Sequence, residues 1–321
     1  MSLVNSWRLL GVLSLAGEVL PGQRAPRPGP LPALDSVRLL ADLSALAADS
    51  MEGRRIGTPG GARARAYLLR AIARIGLPHP RNSHEMPFVA TVRTGAGVAG
   101  VAGVNLAGVV RGTVHPDRYL VVSAHYDHLG IRDGETFNGA DDNASGSAAV
   151  LALAAWSKAH PPQNSILFVW FDGEESGELG ATAFLDHPPV PLAQIAADVN
   201  LDMVGRNAMG ELYAAGATPW PVMRPLLDGL ASVALVALRQ GHDSGTGQAN
   251  WIHQSDQGPF DDRGIPFVYF GVEDHPDYHK ATDDVERIEP GFYYRSVRTI
   301  AEFVRRLDAS LDAVVNRAAP R

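Results

Sequence analysis

Histidine and carboxylate side chains are the residues of this sequence best suited to chemistry, and they are grouped in short motifs. The motifs are, in chain order, His125-Tyr126-Asp127-His128, Asp141-Asp142, Asp172-Gly173-Glu174-Glu175, Asp202 and His275-Pro276-Asp277-Tyr278-His279. Because the sequence has no cysteine, any metal ion must be held by nitrogen and oxygen ligands. A site for two divalent ions requires two imidazoles, three carboxylates and one further carboxylate for proton transfer, and the motifs contain all of these. A single Asp or Glu in such a place is usually a helix cap or part of a solvated turn, but their recurrence favours a metal site.

Four of these motifs follow segments that are predicted to be β-strands. The segments are residues 119–124, 165–171, 197–201 and 266–270. The first segment is a continuous apolar, β-branched run without alternation, as expected of a parallel strand covered on both faces, and the other three are predicted to be apolar strands that are likewise followed by His or carboxylate residues. An Ala- and Leu-rich helix is predicted over 147–160. The pattern predicts an α/β fold, a three-layer αβα sandwich with a mostly parallel central sheet and its active crevice at the carboxyl ends of the strands.

The segments upstream and downstream of these strands are predicted to be scaffold. Apolar residues at helical spacing predict helices over 37–48 and 62–75, the second ending at Gly76, and a last helix over 290–313. The Gly- and Val-rich stretch 92–110 predicts a hairpin or edge strands.

The N-terminus resembles a secretion signal. Arg8 precedes a short apolar run over 9–17, which is too short to cross a bilayer, and four prolines mark 22–32 as an extended linker. We therefore expect a leader and linker over 1–34, a single folded domain over 35–321, and export to the periplasm or the medium. The alternative is an N-terminal helix that packs on the domain of a cytoplasmic protein.

Composition excludes several classes of function. The 321 residues carry 28 Lys and Arg against 35 Asp and Glu, a formal charge of −7, which is the wrong sign for binding a phosphate backbone. Nucleic acid is therefore not an expected partner. Ser145 lies beside Gly146, but no third residue is placed to activate it as a nucleophile.

In their order along the chain the motifs resemble those of the co-catalytic two-zinc aminopeptidases, a family that also includes glutamate carboxypeptidases and glutaminyl cyclases. The resemblance rests on Ser123-Ala124-His125-Tyr126-Asp127, Gly139-Ala140-Asp141-Asp142-Asn143-Ala144-Ser145-Gly146, Asp172-Gly173-Glu174-Glu175, Asn200-Leu201-Asp202-Met203 and Asp277-Tyr278-His279. It covers residue 51 to the last helix. Met51-Glu52-Gly53-Arg54, which composition alone predicts to be a plain connection between helices, is similar to the first segment of bacterial members.

The resemblance implies that two Zn²⁺ ions are bound per chain. It makes His125 and Asp202 ligands of one zinc, Asp142 the carboxylate that bridges both, and Glu175 and His279 the ligands that complete the second. It also implies a cis peptide bond between Asp142 and Asn143.

The resemblance also assigns the proton transfer. Glu174 would be the general base, taking a proton from the attacking water and passing it to the leaving amine. Asp127 would fix the ring of His125 and raise its basicity. Asp141 and His128 are predicted to be structural, and His275 is predicted to be a solvated side chain.

The implied activity is that of a metal-dependent exopeptidase, an aminopeptidase acting on peptides with a free N-terminus and apolar first residues. A carboxypeptidase would need a basic cluster for the terminal carboxylate, whereas Arg132, Arg206 and Lys280 are scattered among acids. The alternative is a glutaminyl cyclase-like or carboxypeptidase-like member of the same fold, or a non-catalytic receptor-like relative. One departure is Gln257, which stands where many relatives have a histidine.

Overall fold

The apolar segments of the sequence form one large mixed sheet in the computed structural model, which describes residues 31–94, 97–245 and 247–317. Across the sheet the strands lie in the order β1 (Glu85–Thr94), β2 (Gly97–Val110), β6 (Asn164–Phe171), β3 (His115–His125), β7 (Ile195–Leu201), β10 (Phe267–Gly271), β8 (Glu211–Ala215) and β9 (Ala237–Gln240). A separate small hairpin is formed by β4 (Gly130–Arg132) and β5 (Glu135–Phe137).

The centre of the sheet is parallel and its edges are mixed. Strands β6, β3, β7 and β10 pair in parallel, so their carboxyl ends meet at one edge. The hairpin of β1 and β2 joins antiparallel to β6 on one side. On the other side β8 joins antiparallel to β10 and is followed by a parallel β9. The predicted α/β fold with a mostly parallel centre is confirmed.

Helices cover both faces of this sheet. The helices within the described residues are α1 (Ser36–Leu46), α2 (Pro59–Ile75), α3 (Gly146–Ala159), α4 (Leu179–Asp186), α5 (Arg224–Ala231), α6 (Gln257–Asp262) and α7 (Pro290–Arg317). One face packs α1, α2, α3, α5 and α7 into the larger apolar core. The other packs α4 and α6, where the rings of Phe171, Phe184 and Phe260 meet within 6.3 Å between centroids.

The predicted central strands and scaffold helices are confirmed to within a few residues at each end. Local signals explain their boundaries: the Asp35 carboxylate caps the first turn of α1, the Thr58 hydroxyl caps α2, and Gly76 ends α2 in a left-handed conformation. The predicted hairpin is also confirmed, but it begins earlier than expected, because its first strand starts at Glu85. The segment before α2 is a 3₁₀ turn over Asp49–Arg54, in which Glu52, Gly53 and Arg54 all have positive φ.

The predicted leader, and most of the predicted linker, lie outside the described residues. The boundary at residue 35 and the export of the protein therefore stay predictions. In the part of the chain that the structure describes, no helix is long and apolar enough to cross a membrane.

Candidate metal centre

The candidate metal centre lies where the parallel strands end. His125 is the last residue of β3 and is paired in register with Phe171 at the end of β6. Asp202 directly follows β7, and Glu174 and Glu175 follow β6 after a turn at Gly173. Because these strands are hydrogen-bonded neighbours, residues far apart in the sequence reach one edge of the sheet.

The first cluster of ligand atoms surrounds the imidazole of His125. Its Nε2 atom lies 3.2 Å from Asp202 Oδ1 and 3.4 Å from Asp142 Oδ1. The same nitrogen is 3.9 Å from Glu174 Oε2. His125, Asp142 and Asp202 are all buried, and one ligand atom from each lies within 4.8 Å of the others. This spacing suits three ligands of one ion.

The second cluster uses the other oxygen of the same aspartate. His279 Nε2 lies 3.1 Å from Asp142 Oδ2 and 3.3 Å from Glu175 Oε2. Asp142 therefore turns one carboxylate oxygen to His125 and the other to His279. The geometry brings together all five ligands that the sequence analysis assigned, in the two groups it assigned.

The loop that carries Asp142 is held from several directions. The backbone N–H groups of Asp141 and Asp142 donate to the Asp283 carboxylate at 3.1 Å. The Asn143 side chain donates to Leu201 O at 2.9 Å and accepts from the N–H of Gly146 at 2.8 Å. The peptide bond between Asp142 and Asn143 is cis, as predicted. Asp283 was not recognised from the sequence, because it lies in no motif.

A fully buried arginine also supports this loop. Arg54 Nε donates to Tyr126 O at 2.9 Å. One terminal nitrogen donates to Leu46 O at 2.9 Å and to Asn138 O. The other terminal nitrogen donates to Gly139 O at 2.9 Å and to Asp142 O at 3.5 Å. Burial lowers the pKa of Arg54 to about 10, against the opposing effect of Asp142 and other acids. The first motif of the sequence therefore contacts the chain next to His125 and Asp142, two of the predicted metal ligands.

Asp127 links two of the motifs. Its Oδ1 atom accepts a hydrogen bond from the backbone N–H of Glu174 at 3.0 Å. The Nδ1 atom of His125 lies 3.2 Å from the main-chain oxygen of Asp127 and 3.7 Å from its carboxylate. Asp127 therefore contacts both the segment of the predicted base and the ring of a predicted ligand.

Two histidines that the sequence analysis set aside lie close to this centre. His128 Nδ1 is 2.5 Å from Glu175 Oε1 and 3.7 Å from Asp142 Oδ2. His275 Nε2 is 3.3 Å from Asp141 Oδ2, and Asp141 Oδ1 accepts from the N–H of Gly205 at 2.7 Å. The sequence signal for His128 was its position, three residues after His125 at the same strand end.

The electrostatics of the cluster show an excess of buried negative charge. Burial raises the pKa of Glu174 well above its usual value, and nearby Asp202 and Asp256 add to this against the opposing effect of His125. Burial alone would lower the pKa of His125, but Asp202 and Glu174 raise it well above the usual value. In the same way carboxylates raise the pKa of His279 to about 10 despite its burial. Such a field favours cations.

The donor atoms fit a metal ion such as zinc. Glu175 Oε1 and both ring nitrogens of His128 are buried and have no hydrogen-bond partner. Buried polar atoms normally have partners, so unpaired ligand atoms that face one another fit a bound cation. Imidazole and carboxylate ligands without sulfur suit Zn²⁺.

A cavity of about 230 Å³ opens over the two clusters. Its walls beyond the ligands include Met203, Trp251, Tyr269, Val272 and Tyr278, and its polar lining includes Glu174, Gln254 and Asp274. Among the described residues that line it, none is Arg or Lys.

The three scattered basic residues and Gln257 do not enter this cavity. Arg206 pairs with Asp277 at 2.6 Å, and neither Arg132 nor Lys280 is among the residues that line the cavity. Gln257 is fully buried, where it accepts from Asn200 Nδ2 at 2.8 Å and donates to Trp251 O at 2.5 Å. The amide therefore supports the wall at Trp251.

Parts of the chain are similar in sequence to known proteins. A family model described as "Peptidase family M28" matches residues 105–304. The chain is 31% identical over 188 residues to aminopeptidase YwaD of Bacillus subtilis (strain 168). The match covers 54% of this chain and 37% of YwaD, so this chain spans little more than a third of the length of that relative.

Solved structures with the same fold extend over most of the chain. BSAP, a zinc aminopeptidase from Bacillus subtilis, has a TM-score of 0.67 at 16% identity and covers 87% of this chain and 96% of its own. The glutaminyl cyclase of Porphyromonas gingivalis has a TM-score of 0.68 at 18% identity and covers 85% and 98%.

Proposed function

The chain belongs to peptidase family M28, and we propose that it is a two-zinc aminopeptidase. It would hydrolyse the first peptide bond of peptides with a free N-terminus and release their first residue. One observation carries the proposal: the two carboxylate oxygens of Asp142 face two separate imidazoles, 3.4 Å from His125 and 3.1 Å from His279. A carboxylate so placed is suited to bridge two ions.

His125, Asp202 and Asp142 would hold one zinc ion, and Glu175, His279 and Asp142 the other. Two bound zinc ions would polarise the scissile carbonyl and lower the pKa of the attacking water. The chain supplies the rigid positions: strand ends fix His125 and Asp202, while Asp283 and Arg54 hold the loop of Asp142 by its backbone.

Glu174 is the group that would move the proton. Its carboxylate lies beside the first cluster, 3.9 Å from His125 Nε2, and it lines the cavity where a peptide would bind. Burial raises its pKa, which brings a carboxylate closer to the range in which it can both accept a proton from water and return it to the leaving amine. Asp127 would keep Glu174 in place through the backbone N–H of that residue.

The cavity favours a substrate with a free amine. Its lining is rich in carboxylates and has no Arg or Lys among the described residues, so it offers no partner for a C-terminal carboxylate. The apolar walls at Met203, Trp251 and Tyr269 suit an apolar first side chain.

Four substrates test this proposal: a peptide with an apolar first residue, its N-acetylated form, its C-terminal amide, and a peptide that begins with glutamine. We expect cleavage of the first and third and loss of cleavage on acetylation. Equal cleavage of the acetylated peptide, or loss of cleavage on amidation alone, would overturn the assignment. Loss of ammonia from the glutaminyl peptide without hydrolysis would support a cyclase instead.

Export is a separate part of the proposal. It rests on Arg8 and the apolar run over 9–17. Fractionation of cells that express the full chain, with N-terminal sequencing of the product, tests it, and a full-length protein confined to the cytoplasm would refute it.

A further inference from the structure

We propose that His128 is a ligand of the second metal position, so that this position has four protein ligands while the first has three. The inference rests on the proposed function, because it needs metal ions at the two clusters. It extends that function by giving the two positions different roles.

The contacts of the His128 ring carry the inference. Nδ1 lies 2.5 Å from Glu175 Oε1 and 3.7 Å from Asp142 Oδ2, and one ligand atom each of His128, Asp142 and Glu175 falls within 4.8 Å of the others. His279 contacts the same two carboxylates from the other side, with its ring centroid 6.0 Å from that of His128. Two imidazoles therefore face the same pair of carboxylates.

The ring is fully buried, yet it has no hydrogen bond. Neither Nδ1 nor Nε2 of His128 has a partner, and Glu175 Oε1, the atom closest to Nδ1, has none either. A buried histidine with a structural role would be expected to hydrogen-bond through at least one nitrogen. Both atoms face the same place and neither has an aligned hydrogen-bond partner, so both are available to one ion.

The surrounding backbone is shaped to admit this ring. Gly139 has a φ of +55°, and a Cβ atom there would lie 2.5 Å from the Cγ and Cδ2 atoms of His128. Arg54 holds the carbonyl groups of Asn138 and Gly139, which keeps this segment against the ring. The space for an imidazole at this place therefore depends on a glycine and on a buried arginine.

The consequence is an asymmetric pair of metal positions. Four protein ligands close a tetrahedral zinc site, as in structural sites, whereas three leave a place for water or substrate. His128, His279, Glu175 and Asp142 would make the second position the tighter one, which would reach the attacking water only by expanding to five ligands. His125, Asp202 and Asp142 would make the first position more open and more easily emptied.

The experiment is a stepwise titration of metal-free protein with Zn²⁺ against a competing chelator, repeated with Co²⁺ while its visible absorption is recorded. The variants are His128→Asn and His128→Ala. The matched control is His160→Asn, an exposed histidine at the end of α3 that lines no part of the cavity over the metal centre. We expect His128→Asn to weaken the tighter of the two metal-binding steps by at least ~100-fold and to change the Co²⁺ spectrum. Loss of a residue that only hydrogen-bonds to a ligand costs at most about this much in metal affinity. The control should bind like the wild type.

Two results would overturn the inference. The first is an unchanged metal affinity of both binding steps. The second is a loss of affinity below about tenfold with an unchanged Co²⁺ spectrum, which would mean that His128 only supports Glu175. Because the variants could fail to fold, the wild type is also tested directly. Protein labelled with ¹⁵N-histidine and loaded with ¹¹³Cd²⁺ should show coupling between the metal and His128 Nδ1, and absence of this coupling refutes the ligand role. If the wild type binds no metal, the proposed function fails instead.

Discussion

Replacement of Arg54 by methionine tests how the centre is held together. Methionine keeps much of the apolar volume but removes the charge and all the donors. The guanidinium donates to main-chain oxygens of Leu46, Tyr126, Asn138 and Gly139, and more weakly to Asp142, and the residue is fully buried. Water cannot easily replace these donors.

The expected cost follows from these contacts. A buried acceptor left without a partner costs about 1–3 kcal/mol. Four carbonyls lose the guanidinium donor, although Gly139 O keeps a hydrogen bond from the N–H of Ala144 at 3.2 Å. Part of the cost of the unpaired carbonyls is offset, because the variant no longer buries a charged group. The cost of burying that charge is seen in the pKa of Arg54, which burial lowers to about 10. We therefore expect Arg54→Met to lower the free energy of unfolding by about 3–5 kcal/mol, the range for breaking a buried charged network.

The assay is urea denaturation of the metal-free protein, with Arg54→Lys and Arg55→Met alongside. Lysine restores the charge but not the planar fork that reaches several carbonyls at once, so it should recover less than half of the loss. Arg55 is the exposed neighbour, and its replacement should change the free energy of unfolding by less than about 0.5 kcal/mol.

Two outcomes would refute this reasoning. If the free energy of unfolding of Arg54→Met is less than about 1 kcal/mol below that of the wild type, the loss is no larger than the cost of one unpaired buried acceptor. The carbonyls would then have other hydrogen-bond donors. If Arg54→Lys is as stable as the wild type, the charge matters and the geometry of the guanidinium does not.

Four further predictions concern the centre itself. Purified protein should hold close to two zinc ions per chain and lose activity to chelators, and a single ion with no gain from a second would contradict the bridging role of Asp142. If Glu174 is the general base and not a ligand, Glu174→Gln should keep its metal while kcat falls at least ~10²-fold; loss of metal in this variant would mean that Glu174 and Glu175 exchange roles. Asp127→Asn should weaken metal binding by ~10-fold or more, and unchanged affinity measured by chelator competition would remove it from the centre. Burial raises the pKa of Asp172 from 3.8 to about 7, and Asp127 adds to the effect. The folded protein therefore binds a proton that the unfolded chain releases, so its stability should fall as pH rises from about 4 to 7 and then level off. Asp172→Asn should flatten this slope in urea denaturation of metal-free protein, and an unchanged slope would assign it to other groups.

The sequence was sufficient to predict the central strands and the residues at their ends. A strand covered on both faces is mostly apolar, so β3, β6 and β10 are visible as apolar runs, whereas β7 is less obvious because it carries the buried Asp198 and Asn200. The edge strands β8 and β9 were not recognised, because they are short and only partly buried, with β9 mostly exposed, and therefore carry no such run. Parallel neighbours end at a common edge, so polar residues at those ends could be grouped before any distance was known.

Only the tertiary structure decided how the side chains are arranged around that edge. Arg54 lies in a motif that composition predicts to be a plain connection, and it contacts Gly139 and Asp142 because the chain turns back through residues of positive φ. His128 and His275 were alike in sequence, two histidines near assigned ligands, yet His128 lies against Glu175 while His275 lies against Asp141. Motif spacing determines which residues reach the edge of the sheet, whereas the side chain that faces a cation depends on loop conformations set by long-range contacts.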